Sequence, residues 1–242
     1  MAYRNYINID DSLLDRPVYR IMSMQRLLEA LKKEQLSLVK PKLWDDPFEN
    51  ALLASAFEFP DGERVSFSAK DAVYGQCWTL HRETDAMWRI YSAEKDGVRV
   101  TSTPRKLLEA LNKTEPEFSN VRCFLGQVIY MKKAALLDRL GKIQLLNTNG
   151  SGLAESLLYK RNEFRHEKEV RLIYSGRDGE CTEDIYPFAI HPNDLFEKIM
   201  FDPRMDSTEV VANRKKIRGQ GFSGRVTQSL LYRAPKGLVF KL

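Results

Sequence analysis

Arg165-His166-Glu167-Lys168-Glu169-Val170-Arg171-Leu172-Ile173-Tyr174 passes from alternating charges into an apolar run. Successive side chains of an extended chain point to opposite faces. Arg165, Glu167, Glu169 and Arg171 would therefore share one face, with Val170, Leu172 and Tyr174 turned to the core. Two readings fit the four-charge row. It is a solvated face of cross-paired charges, or paired carboxylates beside arginines line a cleft. In a cleft, a carboxylate can polarise a hydroxyl or stabilise a developing cation.

Downstream, the strand Glu169 to Tyr174 is expected to turn through Gly176 and Asp178-Gly179 into a strand from Ile185 to Ile190, a hairpin with a long turn. A strand at Lys198 to Phe201 follows, then a helix opened by Asp206-x-x-Glu209 and ended by Gly219 and Gly221, then a strand from Val226 to Tyr232. Upstream, Arg16 to Ser23 reads as a strand. Ser23 caps a helix whose Met24, Leu27, Leu28 and Leu31 fall on one face. Leu36 to Val39 is a short strand, Pro41 and Pro47 bracket an irregular loop, and the polar residues 58 to 70 suggest a mobile excursion. Strands at Ala72 to Leu80 and Val98 to Ser102 flank a short helix started by Thr84 or Asp85. Thr103-Pro104 opens another helix with Leu107, Leu108 and Leu111 inward. A strand at Val121 to Met131, a helix after it and a helix from Leu153 to Arg161 complete the middle. Strands and helices mix without a regular βαβ rhythm. The expectation is one α+β domain over residues 1–242.

Composition narrows the class. Of 242 residues, 43% are hydrophobic and 29% charged, an ordinary globular balance. Apolar runs such as Ala51 to Ala54 fall far short of the roughly 20 residues that span a bilayer, so no membrane segment is expected. Asp10, Asp11 and Asp15 stand where an export signal would be basic and then apolar, which points to the cytoplasm. Cys77, Cys123 and Cys181 are odd in number and far apart, arguing against a disulfide framework or zinc knuckle. His81, His166 and His191 lack metal-ligand spacing. A formal charge of +5 permits nucleic-acid binding without demanding it.

Further residues could carry chemistry. In Tyr19-Arg20, an arginine within an apolar strand needs an anionic partner. A ligand phosphate fits its planar fork, and so do the loop acids Asp45, Asp46 and Glu49. The loop Trp44-Asp-Asp-Pro-Phe-Glu49 combines apolar anchors with carboxylates and also reads as a structural clamp. Trp88 and Tyr91 lie three apart on a helix, either as core or as a stacking surface. No phosphate-binding loop, dinucleotide fingerprint, nucleophile elbow or zinc-protease helix occurs.

Tyr19-Arg20, Trp44 to Glu49, Cys77-Trp78, Met87 to Tyr91, Gly97-Val98 and Glu167 to Arg171, in that order, resemble the motifs of a bacterial and phage family, domain-of-unknown-function family 2971. The resemblance spans about residues 17 to 202 and implies no biochemistry by itself. A remoter similarity joins the same residues to ADP-ribosyltransferases: arginine on a first strand, a small hydroxyl residue ending a central strand, and Glu-x-Glu opening a late one. That similarity implies a mixed or antiparallel split sheet with flanking helices, and NAD as the substrate cofactor. It implies Arg20 with Tyr19, Thr79 and Tyr91 around that NAD, Glu169 as the catalytic carboxylate, and Glu167 as the upstream acid. Cys77-Trp78-Thr79 departs from the family's usual Ser-Thr-Ser. A nucleic-acid or protein acceptor, and a role as toxin or phage-defence effector, are further implications. The alternatives are a non-catalytic domain binding nucleic acid or protein, and a metal-free nuclease.

Overall fold

The computed structural model describes residues 5–58, 61–66, 71–145, 147, 150–177, 179, 181–235 and 237. The chain starts with β1 (Tyr6–Ile7) and β2 (Val18–Ser23), whose last residue ends the strand and caps α1 (Met24–Lys33): the Ser23 hydroxyl accepts the Arg26 N–H at 3.3 Å. Met24, Leu27, Ala30 and Leu31 form the buried stripe of α1, and Glu34 ends it in the left-handed region at φ 50°. β3 (Gln35–Val39) leads into two tight turns started by prolines, Pro41–Leu43 and Pro47–Asn50. A short α2 (Ala51–Ala54) and the hairpin β4 (Ala56–Glu58) with β5 (Arg64–Ser66) follow. Then come β6 (Val73–Thr79), α3 (Asp85–Tyr91) capped by Thr84, β7 (Gly97–Ser102) and α4 (Pro104–Asn112) capped by Thr103. The middle holds α5 (Ser119–Arg122), β8 (Cys123–Gln127), β9 (Ile129–Met131), α6 (Lys133–Leu140), α7 (Ser151–Ser156) and β10 (Tyr159–Arg161). The chain continues with β11 (Glu169–Ser175), β12 (Ile185–Ala189), α8 (Pro192–Leu195), β13 (Lys198–Phe201), α9 (Ser207–Gly219) and β14 (Arg225–Gln228).

Among the described residues the main sheet runs β1-β8-β11-β6-β2-β7-β13-β14, with β3 joining both β6 and β12. Its interior pairs are antiparallel, while β1 with β8 and β13 with β14 are parallel. The α+β expectation of a mixed sheet with flanking helices holds. The sheet is also split. β11 pairs with β6 at seven positions and β2 with β7 at six, yet β2 meets β6 only at Tyr19 and Thr79. One bridge therefore joins two blocks of strands.

β11 is buried on both faces. Leu172 packs with Trp78 and Leu125 in the large core, and Ile173 with Val73 and Phe124 in a second one. This excludes the solvated-face reading for Glu169 and Arg171, which are 5% and 0% exposed. The expected extension of the charge row to Arg165 does not form. Residues Asn162–Glu167 make a tight helical turn, Lys168 adopts a left-handed φ of 42°, and the strand begins at Glu169.

Other boundaries move for tertiary reasons. The single strand expected over Val121 to Met131 divides, because Val128 N–H bonds the Glu169 carbonyl while Ile129 N–H bonds that of Leu158. The chain thus changes partner in one step, from β11 to β10. The helix expected over Leu153 to Arg161 stops at Ser156, and Tyr159–Arg161 pairs in parallel with β9 instead. β12 does not form a hairpin with β11, whose two edges are taken by β6 and β8; it pairs with β3. Part of the expected excursion at 58 to 70 is the β4–β5 hairpin, and residues 59, 60 and 67 to 70 lie outside the described residues. The last strand ends at Gln228 rather than Tyr232.

Candidate functional site: a buried lysine among three glutamates

β10 carries Lys160 into the interior beside the start of β11. Its ammonium pairs with Glu49 at 2.6 Å, with Glu169 at 2.7 Å, and with Glu167. Arg171, two residues along β11, donates Nε to Glu169 at 2.6 Å, Nη2 to Glu49 at 2.7 Å and Nη1 to the Leu157 carbonyl at 2.7 Å. Trp44 covers this guanidinium, 4.4 Å from ring centre to carbon. Asp46, from the same loop, pairs with Arg161 at 2.9 Å. The loop thus clamps the cluster, as its anchors and carboxylates suggested.

Local structure explains how Glu167 and Glu169 reach one ammonium. On a regular strand their side chains would be parallel and spaced along the axis. The left-handed Lys168 folds the chain so that both converge on Lys160. The turn is fixed from behind, because the Thr79 hydroxyl donates to the Glu167 carbonyl at 2.5 Å and accepts the His81 N–H at 3.0 Å. The Glu169 N–H donates to the Tyr130 hydroxyl at 2.9 Å. The Tyr91 hydroxyl donates to Glu167 at 3.3 Å, and with 46% of Tyr91 exposed this is the cluster's solvent side.

Three carboxylates face two permanent cations, so full ionisation leaves one excess negative charge in a buried site. The two glutamates respond in opposite directions. Burial, then the hydrogen bond and charge of Glu169, push Glu167 up to about 7 against the pull of Lys160. Burial would raise Glu169 as well, but Arg171, the hydrogen bond from Glu167 and Lys160 outweigh it and hold Glu169 far below the usual carboxylate range. Burial works against the charge of Lys160, yet Glu169 and Glu49 keep it firmly protonated. Near neutrality the arrangement therefore pairs a fixed carboxylate with one that titrates, the division seen where one site must supply both a charge and a base.

The structure gathers Glu167, Glu169 and Tyr91, with the Thr79 hydroxyl behind them on the Glu167 carbonyl. Tyr19 and Arg20 belong to β2, the strand across the split from β6. Tyr19 makes the bridge to Thr79 and lies against the Arg99 guanidinium at 4.7 Å. Arg20 alternates with Tyr19 along β2, so its side chain starts from the other face. Its guanidinium spans the gap and donates to the Cys77 carbonyl at 3.1 Å. Burial lowers its pKa. The loop acids considered as its partners bind elsewhere, Asp46 to Arg161 and Glu49 to Lys160 and Arg171. Trp88 is core, its indole N–H on Glu83 at 2.8 Å. Sequence reasoning missed Lys160, Glu49 and Tyr130 as members of the cluster. The only local sign was a lysine closing the apolar run Leu157-Leu158-Tyr159.

Solved structures similar to the chain include Thermus sp. 2.9 DarT in complex with NAD+, with 13% identity, a TM-score of 0.40, and 88% of this chain and 94% of that one covered. The same protein in complex with ADP-ribosylated ssDNA gives 12% identity and 0.40 over 88% and 93%. With carba-NAD+ it gives 13% and 0.39 over 91% and 97%. No curated protein sequence matches the chain. Residues 87–172, from the Met87 helix to the Arg171 strand, match the model of a family described as a protein of unknown function, DUF2971, the family that the motifs resemble.

Proposed function

We propose that the chain is an ADP-ribosyltransferase-like enzyme that uses NAD as its substrate. The observation that supports this best is the glutamate pair on Lys160, one carboxylate held ionised and its neighbour titrating near 7. Breaking the C1′–N bond of NAD sends the bonding electrons out with nicotinamide and leaves positive charge on the ribose. Glu169 carries the charge that stabilises this cation, and Lys160 and Arg171 keep it ionised and oriented. Glu167 takes the proton from the acceptor O–H as its oxygen bonds to C1′; with water as acceptor the product is ADP-ribose. Tyr91 marks the side of entry, and Arg20 in the strand gap offers its remaining donors to the dinucleotide. A role as an effector that modifies a nucleic acid or protein inside a cell belongs to the same reading.

Glu169→Gln tests it, because the amide keeps the shape of the carboxylate and removes its charge. The expected result is loss of nicotinamide release by at least about 100-fold, the scale of removing one stabilising group in an active site. Melting curves at pH 6 and 8 serve as the control for folding. Equal nicotinamide release by wild type and a folded Glu169→Gln protein would reject the reading.

A further inference from the structure

A second unbalanced charge lies on the other block of the sheet. Cross-strand partners share a face, so Tyr19, Thr101, Lys198 and Arg225 form one row, and Ile21, Arg99, Met200 and Thr227 the next. Arg99 is only 3% exposed, and among the described residues its buried Nε and Nη1 have no hydrogen-bond partner; the buried Thr227 hydroxyl on the same face has none either. The aromatic ring of Tyr19 supports the guanidinium at 4.7 Å. Glu83, the acid whose charge acts on both Arg99 and Lys198, accepts the Trp88 indole N–H and the Ser229 hydroxyl on its Oε1, and among the described residues it makes no hydrogen bond to Nε or Nη1 of Arg99. Lys198 is pulled below its ordinary pKa by burial and by the neighbouring charges of Arg225, Arg99 and Arg82.

A buried guanidinium with no hydrogen-bonded anion is costly, and neighbouring cations make it costlier. The missing partner must be an anion with at least two oxygens, matching the planar fork of arginine, and able to engage several cations at once. We infer that Arg99, with Arg82 and Lys198 as neighbouring cations and the Thr227 hydroxyl on the same face, binds a phosphate group. The site is separate from the glutamate cluster. The register Glu169, Thr79, Tyr19, Thr101 steps across the sheet, and three strand spacings put the strand of Arg99 about 14 Å from that of Glu169. It therefore stands whether or not the glutamates are catalytic.

Melting of the full-length protein at pH 8 tests the inference with two probes, inorganic pyrophosphate and a ten-residue oligothymidylate, on wild type and Arg99→Met. The expected result is a rise in wild-type Tm with millimolar pyrophosphate, no rise in Arg99→Met, and an unliganded Tm for Arg99→Met at or above that of wild type, because a buried unpaired charge has gone. Lys198→Met, at a less buried position, is expected to weaken the response without abolishing it. A rise with pyrophosphate identifies a small phosphoanhydride as sufficient, and a rise with the oligonucleotide alone identifies a polynucleotide backbone; either supports a phosphate site. If neither probe moves wild type, or Arg99→Met responds as wild type does, the inference is wrong. Glu169→Gln should retain the response, which separates this outcome from the fate of the transferase reading.

Discussion

Replacing Lys160 by methionine puts the electrostatics of the glutamate cluster to a direct test. The Lys160 side chain is 6% exposed, and its ammonium pairs with Glu49, Glu167 and Glu169 together. Methionine keeps the length of the stem and removes the charge, leaving three carboxylates with Arg171 alone and a net charge of −2 in place of −1. Breaking a buried pair by removing one partner costs about 3–5 kcal/mol. For a protein of this size each kcal/mol corresponds to about 2–4 °C, so the expected loss in Tm at pH 8 is about 6–20 °C. The loss must depend on pH, and the sign is set by Glu167. Its folded pKa of about 7 is raised above the ordinary value of 4.5. A folded protein that holds this proton is favoured below pH 4.5, and the advantage disappears as pH rises through 7. Without Lys160 the folded pKa of Glu167 must climb further, so the deficit of Lys160→Met should shrink from pH 8 towards pH 5. Thermal or urea unfolding of both proteins across that range is the assay. A Lys160→Met protein that melts within about 2 °C of wild type at pH 8, no more than about 1 kcal/mol on this scale, would refute the account, as would a deficit that is the same at pH 5 and pH 8.

Glu167→Gln should remove the wild type's own decline in stability between pH 4.5 and 7, a decline of about 3 kcal/mol for a shift of this size; urea unfolding in parallel buffers measures the slope, and an unchanged slope would assign it to other groups. In the same variant any nicotinamide release should lose its rise with pH near 7. Gly75→Ala should destabilise by about 1–3 kcal/mol, because a Cβ there would stand 2.5 Å from Cζ2 of Trp44 and push the ring off Arg171. Thermal melting and a shift in tryptophan emission read both effects, and an unchanged emission spectrum would mean that Trp44 had not moved.

Features made by neighbours in the chain were legible from residue types alone. Ser23, Thr84 and Thr103 each cap the helix that their position suggested, because an N-cap bond joins residues three apart and needs nothing from elsewhere. The stripe Met24, Leu27 and Leu31, the inward Leu107, Leu108 and Leu111, and the alternation of Glu169 and Arg171 against Val170 and Leu172 follow from backbone periodicity in the same way. Whether that charged face met water was decided by packing. Leu157, Leu158 and Phe124 cover it with a second core, so its charges had to be paired. Arg171 and Glu49 are 122 residues apart, and a charge pair at such a distance leaves no pattern in sequence. Lys160 sat in what read as a helix, since Leu157 to Arg161 has no local feature that favours a strand over a helix; pairing with β9 made the choice. The partner of β12 was settled likewise by which strand edges remained open, and the split between β2 and β6 by where pairing stopped. Local chemistry therefore determined the elements and their faces, while the charge balance of the site arose only when distant carboxylates and cations were brought out of water together.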